Sequence, residues 1–248
     1  MGTGLAHSLF ISAVGVVCKP TTVGINFEGN SVEKQESKPS GGLGKQSRGR
    51  DQDMELDRFI IQGYDDLEKG DHAAACNSWG RVWDHFLLRL SLEMESCQQT
   101  LSVYDGSFVL SNWLQDYCAA LHFLVLKDEA MAGAGVSFCS QVLLQFPKEE
   151  ESIVASFRAS MGEFLFLDNK PAEGEKVLAE LISSLPHKAI GYACMAEMFS
   201  DSKFNAGQDN PLDLAQAIGY LERCLAFPAE DAADFDIEKR LAALKGEA

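Results

Sequence analysis

Basic residues are scarce through most of this 248-residue chain. Residues 51–248 carry fifteen Lys and Arg against thirty-four Asp and Glu, a balance of −19, while residues 1–50 carry six against three. A body this acidic repels phosphate backbones, which argues against nucleic acid as a partner and for a protein or peptide, one bearing basic residues if charge decides. No apolar run is long enough to span a bilayer, so no membrane-crossing helix is expected. The seven cysteines, at 18, 76, 97, 118, 139, 194 and 224, include no C-x-x-C pair and are odd in number. Most sit inside apolar helical patterns, as free core thiols do in a reducing cytoplasm. No phosphate-cradling glycine loop occurs. The polar loop "DSKFNAGQDN" (201–210) lacks calcium-loop spacing.

The N-terminal fifth has little to bury. "LFISAVGVVC" (9–18) resembles the apolar core of a secretory signal, but no Lys or Arg precedes it and no small-residue cleavage site follows. Val17 stands where a lipoprotein needs a small residue, and Ala6 where N-myristoylation needs Ser or Thr. "EGNSVEKQESKPSGGLGKQSRGRDQD" (28–53) is rich in Lys, Ser, Gly and Gln. The expectation is a disordered extension over 1–53 and a folded domain over 54–248.

From Met54 onward the apolar spacing is helical almost everywhere, and no stretch alternates as a strand does. Helices are expected over 54–69, 71–95, 107–126, 128–146, 148–168, 171–185, 188–200, 212–227 and 231–245. They are punctuated by Lys69-Gly70-Asp71, by Asp168-Asn169-Lys170-Pro171 and by a polar loop at 200–213. Three segments end alike, "VLLQFP" (142–147), "LISSLP" (181–186) and "CLAFP" (224–228). Upstream of each, a small residue precedes a larger one by four: Gly135/Cys139, Gly174/Leu178 and Ala217/Leu221. Ala75/Trp79 repeats the relation near the start. This is the small-to-bulky step of a helical hairpin closed by proline. A 34-residue register from Leu56 places Gly63, Gly70, Ala75 and Trp79 at positions eight, fifteen, twenty and twenty-four. One from Ala155 places Gly162, Gly174 and Pro186 at eight, twenty and thirty-two. Small residues at eight and twenty let paired helices approach, and the bulky one fills the gap toward the next hairpin. The expected fold is therefore all-α, a tetratricopeptide-like helical-repeat solenoid of about four hairpins plus a C-terminal helix.

In this order, "LEKGDHAAACNSWGRVWDHF", "FVLSNWLQDYCAAL", "FCSQVLLQFP", "FRASMGEFLFLDNKPAEGEKVLAELISSLPH" and "GYACMAEMF" resemble bacterial tetratricopeptide-like proteins. Many of those end in a SEC-C zinc motif like that of the SecA translocation ATPase. This chain ends "RLAALKGEA" without the Cys cluster, so no metal site carries over. The resemblance implies a helical-repeat fold in the bacterial cytoplasm and no enzymatic activity or cofactor.

Candidate chemistry is sparse. Cys76, Trp79, Trp83, Asp84 and His85 crowd one stretch, but helical spacing puts Ala75, Trp79 and Val82 on one packing face. Cys118 and His122 are spaced as two metal ligands on one helix, yet both lie in "YCAALHFLVL" with no third ligand. Asp84 could orient His85, with no nucleophile to serve. "KEEES" (148–152) places glutamates at a helix start, where they favour the macrodipole. Gly133 and Gly135 suit close packing. The hairpin register puts Tyr64, Glu68, Glu163, Phe166, Glu197 and Ser200 on the first helices, lining a concave groove. Aromatic rings beside carboxylates suit a peptide or helix carrying Lys or Arg. The alternative for these six is a solvated surface, or one covered by the chain's own last helix. The function expected is a non-enzymatic interaction scaffold. An enzyme or regulatory subunit with a site between hairpins, and a self-associating structural protein, are the rival readings.

Overall fold

The computed structural model describes residues 43–201, 204, 212–227 and 229–247, with side chains from Arg50. Among them are nine α-helices and no strand: α1 (Leu43–Glu68), α2 (His72–Leu87), α3 (Leu110–Val125), α4 (Ala132–Gln145), α5 (Glu151–Leu167), α6 (Pro171–Ser184), α7 (Ala189–Ser200), α8 (Leu214–Ala226) and α9 (Ile237–Lys245). Each expected helix is present. No described helix is long and apolar enough to cross a membrane.

Helices pack on their neighbours in sequence, and α3 with α5 and α5 with α7 also meet. Two apolar cores result. One joins α1–α5 around Trp79, Phe86, Trp113, Phe138 and Phe164. The other joins α5–α9 around Phe166, Leu178, Tyr192, Met195 and Phe235. Helix α5 feeds both, sending Phe157 and Phe164 into the first and Ala155, Ala159 and Phe166 into the second.

Two turns are built alike. After α1, Gly70 takes a left-handed φ of +75°, and the Gly70 and Asp71 amides donate to Leu67 and Asp66 carbonyls. Asp71 then caps α2 by accepting from Ala74 N at 3.0 Å. After α5, Asn169 takes a φ of 56°, and the Asn169 and Lys170 amides donate to Phe166 and Leu165 carbonyls. Pro171 opens α6. Both are Schellman closures, in which a left-handed residue just past the helix satisfies its last carbonyls. Gly70 and Asn169 occupy the same fifteenth place of the two registers, a match hidden in sequence by the change from Gly to Asn.

The close approaches agree. A Cβ on Gly63 would lie 2.1 Å from Trp79 Nε1, and one on Gly162 would lie 2.6 Å from Leu178 Cγ. Position eight of each hairpin is thus the seat for the bulky residue at twenty-four of the same hairpin. This revises the assignment of position twenty-four to the next hairpin alone, although Trp79 also reaches Trp113 and Tyr117 on α3. Gly135 behaves differently: its added Cβ would meet Phe164 on α5 at 2.6 Å, while one on exposed Gly133 would meet only Asp168 Oδ1, at an ordinary 3.8 Å.

Several boundaries differ from expectation, among them the start of α9, at Ile237 where 231 was expected. Helix α1 starts at Leu43, inside the segment expected to be disordered; residues 1–42 lie outside the described ones. Asp53 is buried and takes Arg89 at 2.5 Å, tying the end of that segment to the body. Helix α2 stops at Leu87, and 88–95 continues as turns. Within "KEEES" only Glu151 is in the first turn of α5. Lys148 pairs with Glu95, and Glu149 accepts from Cys97 N at 2.6 Å, so these side chains anchor the 95–97 segment instead. Of the 200–213 loop, residues 202–203 and 205–211 lie outside the described ones.

Candidate partner-binding surface

The six groove residues do not share one open face. Glu163 is 2% exposed on α5, wedged between helices, with His122 Nδ1 of α3 at 3.6 Å. Beside it lies the Cys194 thiol, whose pKa is pushed up by burial and then by this carboxylate. Phe166 is 5% exposed and packs edge-on toward Phe204 in the second core. Both are interior side chains, which corrects their assignment to a binding surface. The cause is coverage of the inner face: α3 and α7 close over α5, so position nine of the hairpin points into a core.

Glu197 keeps part of its surface but faces Arg240 of α9 at 3.5 Å, each side chain little exposed. The last helix thus covers this position, as the alternative reading held, and supplies the cation. Arg158, a basic residue five positions before Glu163 on α5, has Ser184 Oγ within 3.4 Å. Ser200 donates its hydroxyl to Ala196 O at 2.7 Å within α7. Tyr64 is half-buried, donates to Asp116 Oδ2 at 2.6 Å and meets Trp79 edge-on at 5.0 Å. Burial raises the Asp116 pKa, and the Tyr64 bond opposes that. Glu68 alone among the six is exposed, at the end of α1.

Most of the residues weighed for chemistry are packing residues. Trp79 is fully buried and donates to Ile60 O at 3.0 Å; Trp83 donates to Gln141 Oε1 at 2.7 Å. The Cys76 thiol is pushed up to about 12 by burial, which keeps it protonated and a poor nucleophile. Asp84 and His85 are exposed at the end of α2. Cys118 Sγ lies 3.7 Å from Cys139 Sγ, both buried, and burial raises the latter's pKa. Among the described residues, no three His, Cys, Asp or Glu side chains are arranged to hold a metal. A crevice between Cys97, Leu114, Val142, Phe146 and Phe157 has room for about one water molecule, too little for a substrate.

What sequence reasoning missed lies after α2. Leu88 and Leu92 are 85% and 89% exposed, and Leu144 of α4 is 79% exposed. The signal was "LRLSL" (88–92), an alternation that a helix over 71–95 obscured. The chain matches no protein-family profile, no curated protein and no solved structure.

Proposed function

We propose that this chain is a tetratricopeptide-like helical-repeat protein that acts as a non-enzymatic interaction module for a protein partner in the bacterial cytoplasm. The observation that supports it best is the correspondence of the α1–α2 and α5–α6 hairpins. Both seat a bulky residue on a glycine eight places into the register and turn through a left-handed residue at fifteen. Contacts between α3 and α5, and between α5 and α7, fit stacked hairpins whose first helices adjoin. Stacked hairpins build long surfaces rather than enclosed pockets, which is why such arrays bind polypeptide. The six cysteines that are described are free and buried, in keeping with a reducing compartment.

The test is affinity capture from a bacterial lysate with the full chain as bait. An unrelated protein of similar negative charge serves as control, and capture is repeated at low and high salt. The reading requires a specific protein held by the bait and not by the control. If both retain the same set, the module reading fails.

A further inference from the structure

We propose that Leu88, Leu92 and Leu144 form a docking surface for an amphipathic helix of a partner protein whose apolar face is flanked by Lys or Arg. The inference rests on the interaction-module reading and assigns it a surface. Hydrogen bonds between α2, the 88–95 segment and α4 hold the stretches that carry these leucines side by side. Trp83 of α2 donates to Gln141 at 2.7 Å, and Gln145 donates to both Ser91 O and Met94 O at 2.9 Å. The 88–94 stretch therefore lies along the last turns of α4, with Leu144 beside Gln145 and Leu92 beside Ser91.

This exposure belongs to an anchored segment. Arg89, between Leu88 and Leu90, turns inward to Asp53 and to Val103 O. Lys148 N donates to Glu95 O at 3.0 Å, closing the far end. The backbone is held while three leucines point outward, so a partner meets a prepared surface and little further ordering is needed.

Charge identifies the occupant. The two long cations at this end, Arg89 and Lys148, are taken by Asp53 and Glu95. Asp84, Glu93 and Glu150 are exposed and make no ion pair among the described residues. A second copy would bring the same carboxylates and a formal −16, so self-docking is opposed. A segment with leucine-like residues on one face and Lys or Arg along its edges complements both the apolar centre and the acidic rim.

The experiment uses the full chain and a fluorescein-labelled synthetic helix of Leu and Lys at helical spacing, read by fluorescence anisotropy. A counterpart with Glu for each Lys is the control probe. Leu92→Ser with Leu144→Ser alters exposed positions only, and circular dichroism confirms that the fold is kept. The Lys helix should bind wild type, at least tenfold more weakly to the double variant, and several-fold more weakly to Glu93→Lys at low salt. The Glu helix should not bind. Equal binding to wild type and the double variant, or none to wild type, overturns the surface. So does light scattering that shows a wild-type dimer dispersed by the double variant. Lysate capture separates the two levels: a partner held equally by wild type and the double variant removes this surface and leaves the module. No specific partner removes the module.

Discussion

Replacing Gly63 with alanine sets two opposed effects against each other. In an open helix the exchange is favourable, because glycine is about 0.8–1 kcal/mol worse than alanine in a helix interior. Here the new Cβ would sit 2.1, 2.5 and 2.6 Å from three atoms of the Trp79 indole. That ring cannot swing aside. It is fully buried, donates to Ile60 O, and is ringed by Tyr64, Trp113 and Tyr117 with centroids 5.0–6.4 Å away. Overpacking of this kind costs about 1–3 kcal/mol, and displacing the indole puts its buried hydrogen bond, worth about 1 kcal/mol, at risk. Gly63→Ala should therefore destabilise the chain by about 1–3 kcal/mol net. Gly219 on α8 is the internal comparison, since a Cβ there meets nothing within 4 Å. Gly219→Ala should stabilise by up to about 1 kcal/mol. Urea titrations followed by tryptophan fluorescence and by circular dichroism give both values. A Gly63→Ala chain as stable as Gly219→Ala would mean that the first hairpin is not closed on Trp79.

Asp53→Ala should cost about 1–2 kcal/mol in thermal or urea unfolding, because it strips a half-buried Arg89 of its carboxylate; a chain cut before Met54 should lose as much, and an unchanged midpoint would detach α1's first turns from the body. Glu163→Lys should cost about 3–5 kcal/mol, since it puts an ammonium into the interior where a carboxyl group meets buried His122; survival of the fold at full stability would place Glu163 at the surface after all. The six described cysteines are buried, with Cys76 and Cys224 pushed by burial to about 12 and about 11. They should react with Ellman's reagent at pH 8 only on unfolding, and fast labelling of the native chain at any of them would contradict that burial. Burial, then the Lys127 charge, lowers the His72 pKa below its ordinary 6.5. The unfolded chain takes up that proton first, so stability present above pH 6.5 should fall as pH drops toward the lowered value. His72→Gln should flatten this slope relative to wild type, and parallel pH profiles would show that His72 is solvated.

The helices were legible because their signals are local. Asp71 after Gly70 and Pro171 after Asn169 mark chain reversals through caps that depend on a few adjacent residues. Small-to-bulky steps such as Gly174 to Leu178 are local as well, although the seat of Leu178 on Gly162, in the other helix of the hairpin, was not read from the register. The failures share a different cause. Asp53 looks like the end of a polar linker until Arg89, thirty-six positions later, is seen to turn back toward it. The end of α2 at Leu87 was hidden because "LLRLSLEME" carries no Gly or Pro to stop a helix. Its turns are held from outside by Gln145, Lys148 and Glu149.

The groove shows the same limit where function is concerned. A register assigns Glu163 and Glu197 to one face of successive hairpins, but whether that face is open depends on what crosses it. Helix α5 is covered on both sides by α3 and α7, so the carboxyl group at position nine becomes an interior group facing His122. At Glu197 the crossing element is α9, whose Arg240 lies forty-three positions further on and carries no repeat signal of its own. Periodicity therefore locates the inner face of a hairpin, while the elements outside the repeat decide whether it is available. Leu88 and Leu92 sit just past the end of α2, and they remain uncovered by any described helix. An interaction surface on this chain is better sought at such irregular joints than at the positions a repeat register nominates.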